Sequence, residues 1–473
     1  MNQFRRALPI AWAGLLPPLL LLAGCPTTDP VDDDDTTAGD DDDATGDDDT
    51  ADPEPPWPEW AFHHWVWEDE STQDSLLEMV DGYAERDIPV GAVIIDSPWE
   101  TGYNTMEWDT DLFPDPQGLI DELHSRDIRV MMWITPAINI DVEPLYSDAA
   151  AAGYFMQTSE DGGPAVVDWW KGDGSLVDYF NPEAVEWWHG LMDPMLAMGI
   201  DGWKCDGLDF AALIADYSPG AGREVERLEY SHAYYREFHD YTREVLGDDR
   251  INTARPVDNY GADIGGDAVA FAPVDINWAG WVGDQDSDWI GLQAALRNLY
   301  WSADYGYVAF GSDIGGYRED GSELGRDKET FLRWAQLGAF CPIMENGGGG
   351  AHWPWMFDEE TVAIYKTYTD LHHELLPYLM AEGARAFDAG TSLMTFTGSA
   401  TYDYTLGPDI FVAPVIEAGT QREVTLPVDG DWTWLFGSGE TFTGGTTQVL
   451  DVPLDSFPAF VRVGSDISAT IRQ

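Results

Sequence analysis

Positive charge is scarce in this chain: 23 Lys and Arg stand against 87 Asp and Glu over 473 residues, a formal net charge of −64. A field of that sign repels phosphate backbones and excludes nucleic acid as a partner. Cysteine is scarcer still. Three residues cannot build a disulfide scaffold or a four-thiolate metal cluster. Of the nine histidines, the doublets His63-His64 and His372-His373 lack the spacing and the carboxylate partner of a metal site, and neither metal nor cofactor is expected. No glycine-rich phosphate turn follows the first apolar strand, as an open doubly wound sheet would require. The run Gly347–Gly350 precedes no Lys-Ser/Thr pair and reads as a flexible loop over a pocket. Tryptophan, by contrast, is abundant, and its 22 residues nearly equal all the basic ones. A chain so rich in flat apolar side chains suits ligands that stack, and sugar rings are one such class.

The first 25 residues read as a targeting segment. Arg5 and Arg6 precede an apolar stretch, 7–22, broken by Pro17 and Pro18. It ends in Leu22-Ala23-Gly24-Cys25, which resembles the lipobox of bacterial lipoproteins, so Cys25 is the expected lipidation site and the membrane is reached through that anchor alone. The alternative is an ordinary secretory signal with an incidental cysteine. Pro26 in place of Asp does not indicate retention at the inner membrane, which favours the outer membrane or the cell surface. Residues 26–58 carry 14 acidic side chains and no basic one. Such a segment repels itself and reads as a disordered tether.

Beyond residue 58 the pattern becomes periodic. Eight apolar runs, 60–67, 90–96, 129–136, 199–206, 250–256, 271–280, 307–316 and 340–347, alternate with helical patterns at 72–86, 116–125, 183–198, 227–246, 288–302 and 328–338. Eight alternations in about 330 residues predict a closed (β/α)8 TIM barrel over 59–388. The long stretch 137–181 is expected to cap its active face. From about residue 389 to 473 the period falls to two, predicting a small antiparallel β-sandwich domain.

Reactive groups in such barrels sit at the C-terminal ends of strands. Asp96, Asp206, Asp284 and Asp313 occupy that position here, and Trp99, Trp133, Trp203 and Trp281 are expected beside them. For any one of these carboxylates a helix cap or a loop hydrogen bond is the plainer reading; four at one rim suit glycosidic bond chemistry, which needs paired carboxylates. Lys204 and Asp206 lie two apart on one strand and so share the barrel interior, with Cys205 facing out. A cation there would keep Asp206 ionised. Asp284 has no basic residue within ten positions and is expected in a less polar setting that favours its protonated form.

These residues also carry a family resemblance. Gly199-Ile-Asp-Gly-Trp-Lys-Cys-Asp206 resembles the nucleophile strand of glycoside hydrolase family 31, the retaining α-glucosidases and α-xylosidases. Trp281-Val-Gly-Asp284 resembles its acid/base loop, and Gly311-Ser-Asp-Ile-Gly-Gly-Tyr317 its Asp-Ile-Gly-Gly-aromatic signature. Arg333 to Phe340, Phe113-Pro-Asp-Pro116 and Pro408 to Pro414 fit further segments in the family's order. The resemblance implies a retaining α-glycoside hydrolase in which Asp206 is nucleophile and Asp284 general acid/base. Asp96, Trp133, Trp203, Lys204, Arg255, Trp281, Asp313 and His352 would bind the α-linked oligosaccharide. The chain departs from the family in lacking a β-sandwich before the barrel, in carrying Asp209 where a Glu is usual, and in replacing an Arg-x-His by Glu345 and the glycine run. The rival readings are a catalytically idle carbohydrate-binding lipoprotein and a transglycosylase. Glucose, xylose, galactose and a 6-sulfonated sugar all remain open.

Overall fold

The computed structural model describes residues 53–207, 216–258, 269–350, 352–469 and 471. Cys25, the acidic tether up to residue 52 and Asp209 lie outside the described residues.

Eight parallel strands form one sheet: β1 (His64–Glu68), β2 (Ala92–Ile95), β3 (Arg129–Ile134), β4 (Gly202–Cys205), β5 (Ile251–Ala254), β6 (Ala279–Val282), β7 (Phe310–Ser312) and β8 (Met344–Asn346). Their residues are almost all buried, as strands covered on both faces must be. From β1 to β7 each strand pairs with its sequence neighbour, and β8 pairs back onto β1 with His64 opposite Met344. The β7–β8 seam is held by an Asp313–Glu345 bridge, where Ile314 N–H donates to Glu345 O at 3.0 Å. The sheet therefore closes, nearly completely, into the expected barrel.

The outer helices are α1 (Gln73–Ala84), α2 (Pro116–Ser125), α3 (Pro182–Ala197), α4 (Arg227–Leu246), α5 (Trp289–Asp304), α6 (Lys328–Gly338) and α7 (Glu359–Asp388). Local chemistry fixes where most begin. Thr72, Asp115, Asn181, Asp288, Asp327 and Asp358 each accept a hydrogen bond from a backbone N–H of the first turn. Helix α7, thirty residues long with Pro377 inside it, corresponds to none of the helical patterns read from the sequence. The sixth strand also differs from expectation. It runs 279–282 rather than 271–280, because Pro273 offers no N–H and its carbonyl turns the chain by accepting from Asn277 N at 3.2 Å.

Two additions dress the barrel. Between β3 and α3, strands Ala137–Asn139, Val166–Trp169 and Gly172–Leu176 form an antiparallel sheet beside a short helix, Leu145–Ala152. Trp169 pairs with Gly172, so Trp170 and Lys171 are the two residues of a tight turn. After α7, a six-stranded antiparallel sheet and a two-stranded one make up the C-terminal layer. Buried Arg333 of α6 holds that layer to the barrel, donating to Ser456 O at 2.6 Å and Val452 O at 2.7 Å. Tyr404 Oη adds a bond to Phe340 O at 2.9 Å. Residues 52–473 accordingly form one unit. Among the described residues no helix is long and apolar enough to cross a membrane.

Candidate active site

Strand alternation decides what β4 shows the barrel interior. Lys204 points inward. Its Nζ lies 2.9 Å from Asp96 Oδ2, past the end of β2, and 3.3 Å from the centroid of the Trp67 ring. Burial works against the ammonium, but Asp96, Glu345, Asp313 and Asp206 around it hold its pKa above the ordinary lysine range. Trp203 and Cys205 face the other way. Trp203 is fully buried, with Nε1 donating to Thr242 Oγ1 of α4 at 3.0 Å and its ring edge-on to Phe238. The structure therefore does not bring Trp203 to the pocket, and the alternation that places Lys204 inside is the reason.

Asp206 follows β4 directly and its backbone N–H donates to Ile134 O at 2.8 Å. Trp133 Nε1 reaches its Oδ2 at 3.2 Å and Arg255 Nε its Oδ1 at 3.3 Å. Arg255, just beyond β5, is buried with its guanidinium 4.5 Å from the Trp281 ring centroid. The same guanidinium donates through its second terminal nitrogen to Asp284 Oδ1 at 2.5 Å. One cation thus touches both candidate catalytic carboxylates. The cation on Asp206 is Arg255, whereas Lys204 is spent on Asp96. The expectation of a less polar setting for Asp284 also fails: the fold delivers Arg255 from 29 positions away, and Arg318 donates to the Asp284 carbonyl. Neighbours in sequence do not report neighbours across a barrel.

Asp284 has a left-handed backbone, φ 69°, which costs a non-glycine residue energy and must be held by its surroundings. Asp313 supplies part of that hold by accepting the Asp284 N–H through Oδ2 at 3.0 Å. At Gly283 a Cβ would come within 2.6 Å of Asp313 Oδ2 and 2.4 Å of Trp281 Nε1. Glycine at 283 is a consequence of this crowding. Asp313 is itself buried. Burial, and then the Glu345 carboxylate, push its pKa well above the carboxylate range.

These groups surround a cavity of 210 Å³. Asp96, Trp133, Lys204, Asp206, Trp281 and Asp284 line it, as the sequence leads one to expect. Arg255 and Asp313 sit behind that wall and act on it through Asp206 and Asp284. Trp99 does not reach the cavity: its Nε1 donates to Trp133 O at 2.9 Å and its ring packs on Trp108. His352 is buried between the carbonyls of Gly316 (2.9 Å) and Gly350 (3.2 Å), and burial pushes its pKa down to about 3. It is a neutral structural imidazole outside the cavity lining.

Trp67, Asp69, Trp170, Lys171, Tyr317 and Arg318 also line the cavity and were not singled out as site residues from the sequence. Asp69 follows β1 at a strand end, so the rule that found Asp96 could have found it. Burial raises its pKa despite the hydrogen bond from Tyr317 Oη at 2.8 Å. Trp67 explains the glycine run. A Cβ at Gly347 would lie 2.3 Å from the Trp67 ring, so only glycine fits beneath that indole. The run is fastened rather than free. Gly348 O accepts from Asp69 N at 3.1 Å and Gly349 O from Arg326 at 2.8 Å.

Comparison with known proteins agrees with this geometry. Residues 54–382 match the model of the glycosyl hydrolases family 31 TIM-barrel domain. The chain belongs to this family. Residues 392–467 match the family 31 C-terminal domain. Among curated family 31 relatives, the α-xylosidase XylQ of Lactiplantibacillus pentosus is 29% identical over 87% of this chain and 54% of the relative. The sulfoquinovosidase of Escherichia coli K12 is 26% identical over 77% of this chain and 54% of the relative. The chain therefore spans about half the length of the curated relatives it matches. A crystal structure of a family 31 α-xylosidase from a soil metagenome, complexed with xylose, superposes with a TM-score of 0.75 at 25% identity, covering 89% of this chain and 65% of that one.

Proposed function

We propose that this protein is a retaining α-glycoside hydrolase. The observation that carries the reading is the sharing of the Arg255 guanidinium by Asp206 and Asp284 at the mouth of a Trp-walled cavity. Two carboxyls bridged by one guanidinium are close partners, which fits the roughly 5–5.5 Å separation of retaining enzymes better than the roughly 6.5–9.5 Å that leaves room for water in inverting ones.

In this reading Asp206 attacks the anomeric carbon, and its charge is stabilised by Arg255 Nε and Trp133 Nε1. Asp284 protonates the departing oxygen. It then takes a proton from the water that releases the sugar from Asp206. Asp96, paired with Lys204, is fixed in one orientation and offers its carboxylate to sugar hydroxyls. The indoles of Trp67, Trp133 and Trp281 supply the apolar faces of the subsite. The substrate is an α-linked oligosaccharide or glycoside, and the relatives above support the α configuration.

The same reading places the enzyme outside the cytoplasm, joined to the envelope by a lipid on Cys25; the Leu-Ala-Gly-Cys sequence ending an apolar stretch supports it. Proton NMR of the first product released from aryl α-glycosides tests the chemistry: the α anomer is expected, and the β anomer would refute retention. Fatty-acid labelling that persists in Cys25→Ser would refute the anchor.

A further inference from the structure

The last barrel strand carries a carboxyl group that the reaction above does not use. Asn346 of β8 faces outward, donating through Nδ2 to Tyr83 Oη of α1 at 2.7 Å, so its neighbour Glu345 faces the barrel interior. Glu345 is fully buried, and neither of its carboxyl oxygens has a hydrogen-bond partner. Its bridge partner across the β7–β8 seam is Asp313, so the two side chains are neighbours on one face of the sheet. Asp313 is buried as well. Its Oδ2 accepts the Asp284 N–H at 3.0 Å, while Oδ1 has no partner. Two adjacent buried carboxyls thus leave three oxygens unmatched.

The nearby cations do not resolve this. Lys204 Nζ is bonded to Asp96 at 2.9 Å, and Arg255 to Asp206 at 3.3 Å and Asp284 at 2.5 Å. Lys204, the Trp67 indole and Arg255 all face Glu345 and favour its anion, yet burial outweighs them and raises its pKa. Asp313 faces Glu345, Lys204 and Asp284, and burial followed by the Glu345 charge raises it too. Around this spot five carboxyls, those of Asp96, Asp206, Asp284, Asp313 and Glu345, share two buried cations among the described residues. A buried anion without hydrogen bonds is too costly to persist, and such a group takes up a proton instead.

We propose that Glu345 and Asp313 carry one proton between them and that this shared proton positions Asp284. With one proton the two side chains can lie together, and Asp313 keeps its hold on the left-handed Asp284 backbone. When both ionise, like charges in a dry interior drive them apart, and the general acid/base loses its support. Glu345 does not line the cavity. It is a positioning residue that acts through Asp313. The inference rests on the glycosidase reading above and adds to it a pH limit set outside the catalytic pair.

The test is the pH profile of kcat/KM for the wild type and Glu345→Gln on aryl α-glycosides. Glutamine is the neutral isostere that cannot ionise, so the alkaline limb is expected to move up by about one pH unit or more. The sign is decisive. Were Glu345 an anion in the resting enzyme, the variant would remove a negative charge near Asp284, ease its deprotonation and move the limb down. An unmoved or lowered limb overturns the proposal. So does a Glu345→Gln chain that fails to fold, because glutamine stands in for the native form. A second readout needs no turnover. Near pH 6 the unfolded chain has both carboxyls ionised, so the wild type is expected to release about one proton more on unfolding than Glu345→Gln, read from the slopes of unfolding free energy against pH. Equal slopes overturn the shared proton. If the wild type turns over neither aryl α-glycosides nor α-linked oligosaccharides, the glycosidase reading has failed. The proton count then decides the pair alone, which stands on one extra proton and falls on none.

Discussion

The two ends of the barrel carry cavities that differ in an instructive way. The one near the N-terminal strand ends, about 400 Å³ against the 210 Å³ of the catalytic cavity, is lined by four histidines: His63, His64, His372 and His373. Its buried imidazoles are already engaged. His64 lies between Pro89 O (2.7 Å) and Tyr365 Oη (2.8 Å), and His372 between Ala339 O (3.1 Å) and Phe62 O (2.8 Å). At the opposite end, Asp69, Asp96, Asp206 and Asp284 are positioned by partners and still face open space. Volume does not mark the catalytic cavity. What marks it is polar atoms with hydrogen-bonding capacity left over, and the division follows the barrel rule that stability resides at the bottom and chemistry at the top.

The sharpest way to break this comparison is to remove one group from each end. Asp206→Asn should lower kcat by about 10⁴-fold or more while the unfolding transition stays put. His372→Ala should do the reverse, costing about 2–4 kcal/mol of stability through the lost imidazole and the one hydrogen bond its neutral ring can donate to the flanking carbonyls, with kcat unchanged. Melting curves and initial rates on an aryl α-glycoside read both. A His372→Ala enzyme that folds normally but turns over slowly would erase the distinction.

Lys204→Met tests whether the upper end is also structurally committed. Removing the ammonium leaves Asp96 buried without its partner, and breaking a buried pair costs about 3–5 kcal/mol. The variant should lose stability and kcat/KM together, unlike Asp206→Asn.

The histidines give the comparison a pH signature. Burial pushes His64 and His372 down to about 4 and His352 to about 3, from an ordinary 6.5. The unfolded chain therefore binds protons below about pH 6.5 that the folded chain refuses until about pH 4, so stability falls as pH falls through that window. Each histidine contributes about 1.4 kcal/mol per pH unit there. His64→Gln should flatten the acid limb by one proton, measured by denaturant unfolding at pH 6.5, 5.5 and 4.5.

The barrel was legible because parallel strands buried on both faces leave continuous apolar runs. The strand-end rule located Asp96, Asp206, Asp284 and Asp313 for the same reason. Sequence could not show what the closed sheet brings together from afar. Arg255 meets Asp284, Trp67 fills the space above Gly347, and the turn at 170–171 reaches the cavity from the inserted sheet. Helix α7 was missed although Asp358 caps it. Its buried residues spread over thirty positions and a proline interrupts them.

Trp203 offers the finest resolution of the two environments, since it sits one residue from Lys204 on the same strand. Family-like sequence placed it among the sugar-binding residues, whereas the two-residue period of β4 turns it toward α4, where Thr242 accepts from its indole. Trp133, one strand away, faces inward and donates to Asp206. The two tryptophans should therefore respond oppositely to the same substitution. Trp133→Phe removes a donor from the nucleophile and should lower kcat/KM by roughly tenfold, the equivalent of about 1.4 kcal/mol, with a small change in stability. Trp203→Phe should leave KM and kcat within twofold and cost about 1 kcal/mol of stability, the usual worth of one buried hydrogen bond. Steady-state rates and unfolding free energies on the same two preparations check both halves. A raised KM in Trp203→Phe with unaltered stability would mean that β4 is registered one residue from the position described, and Lys204 could not then reach Asp96.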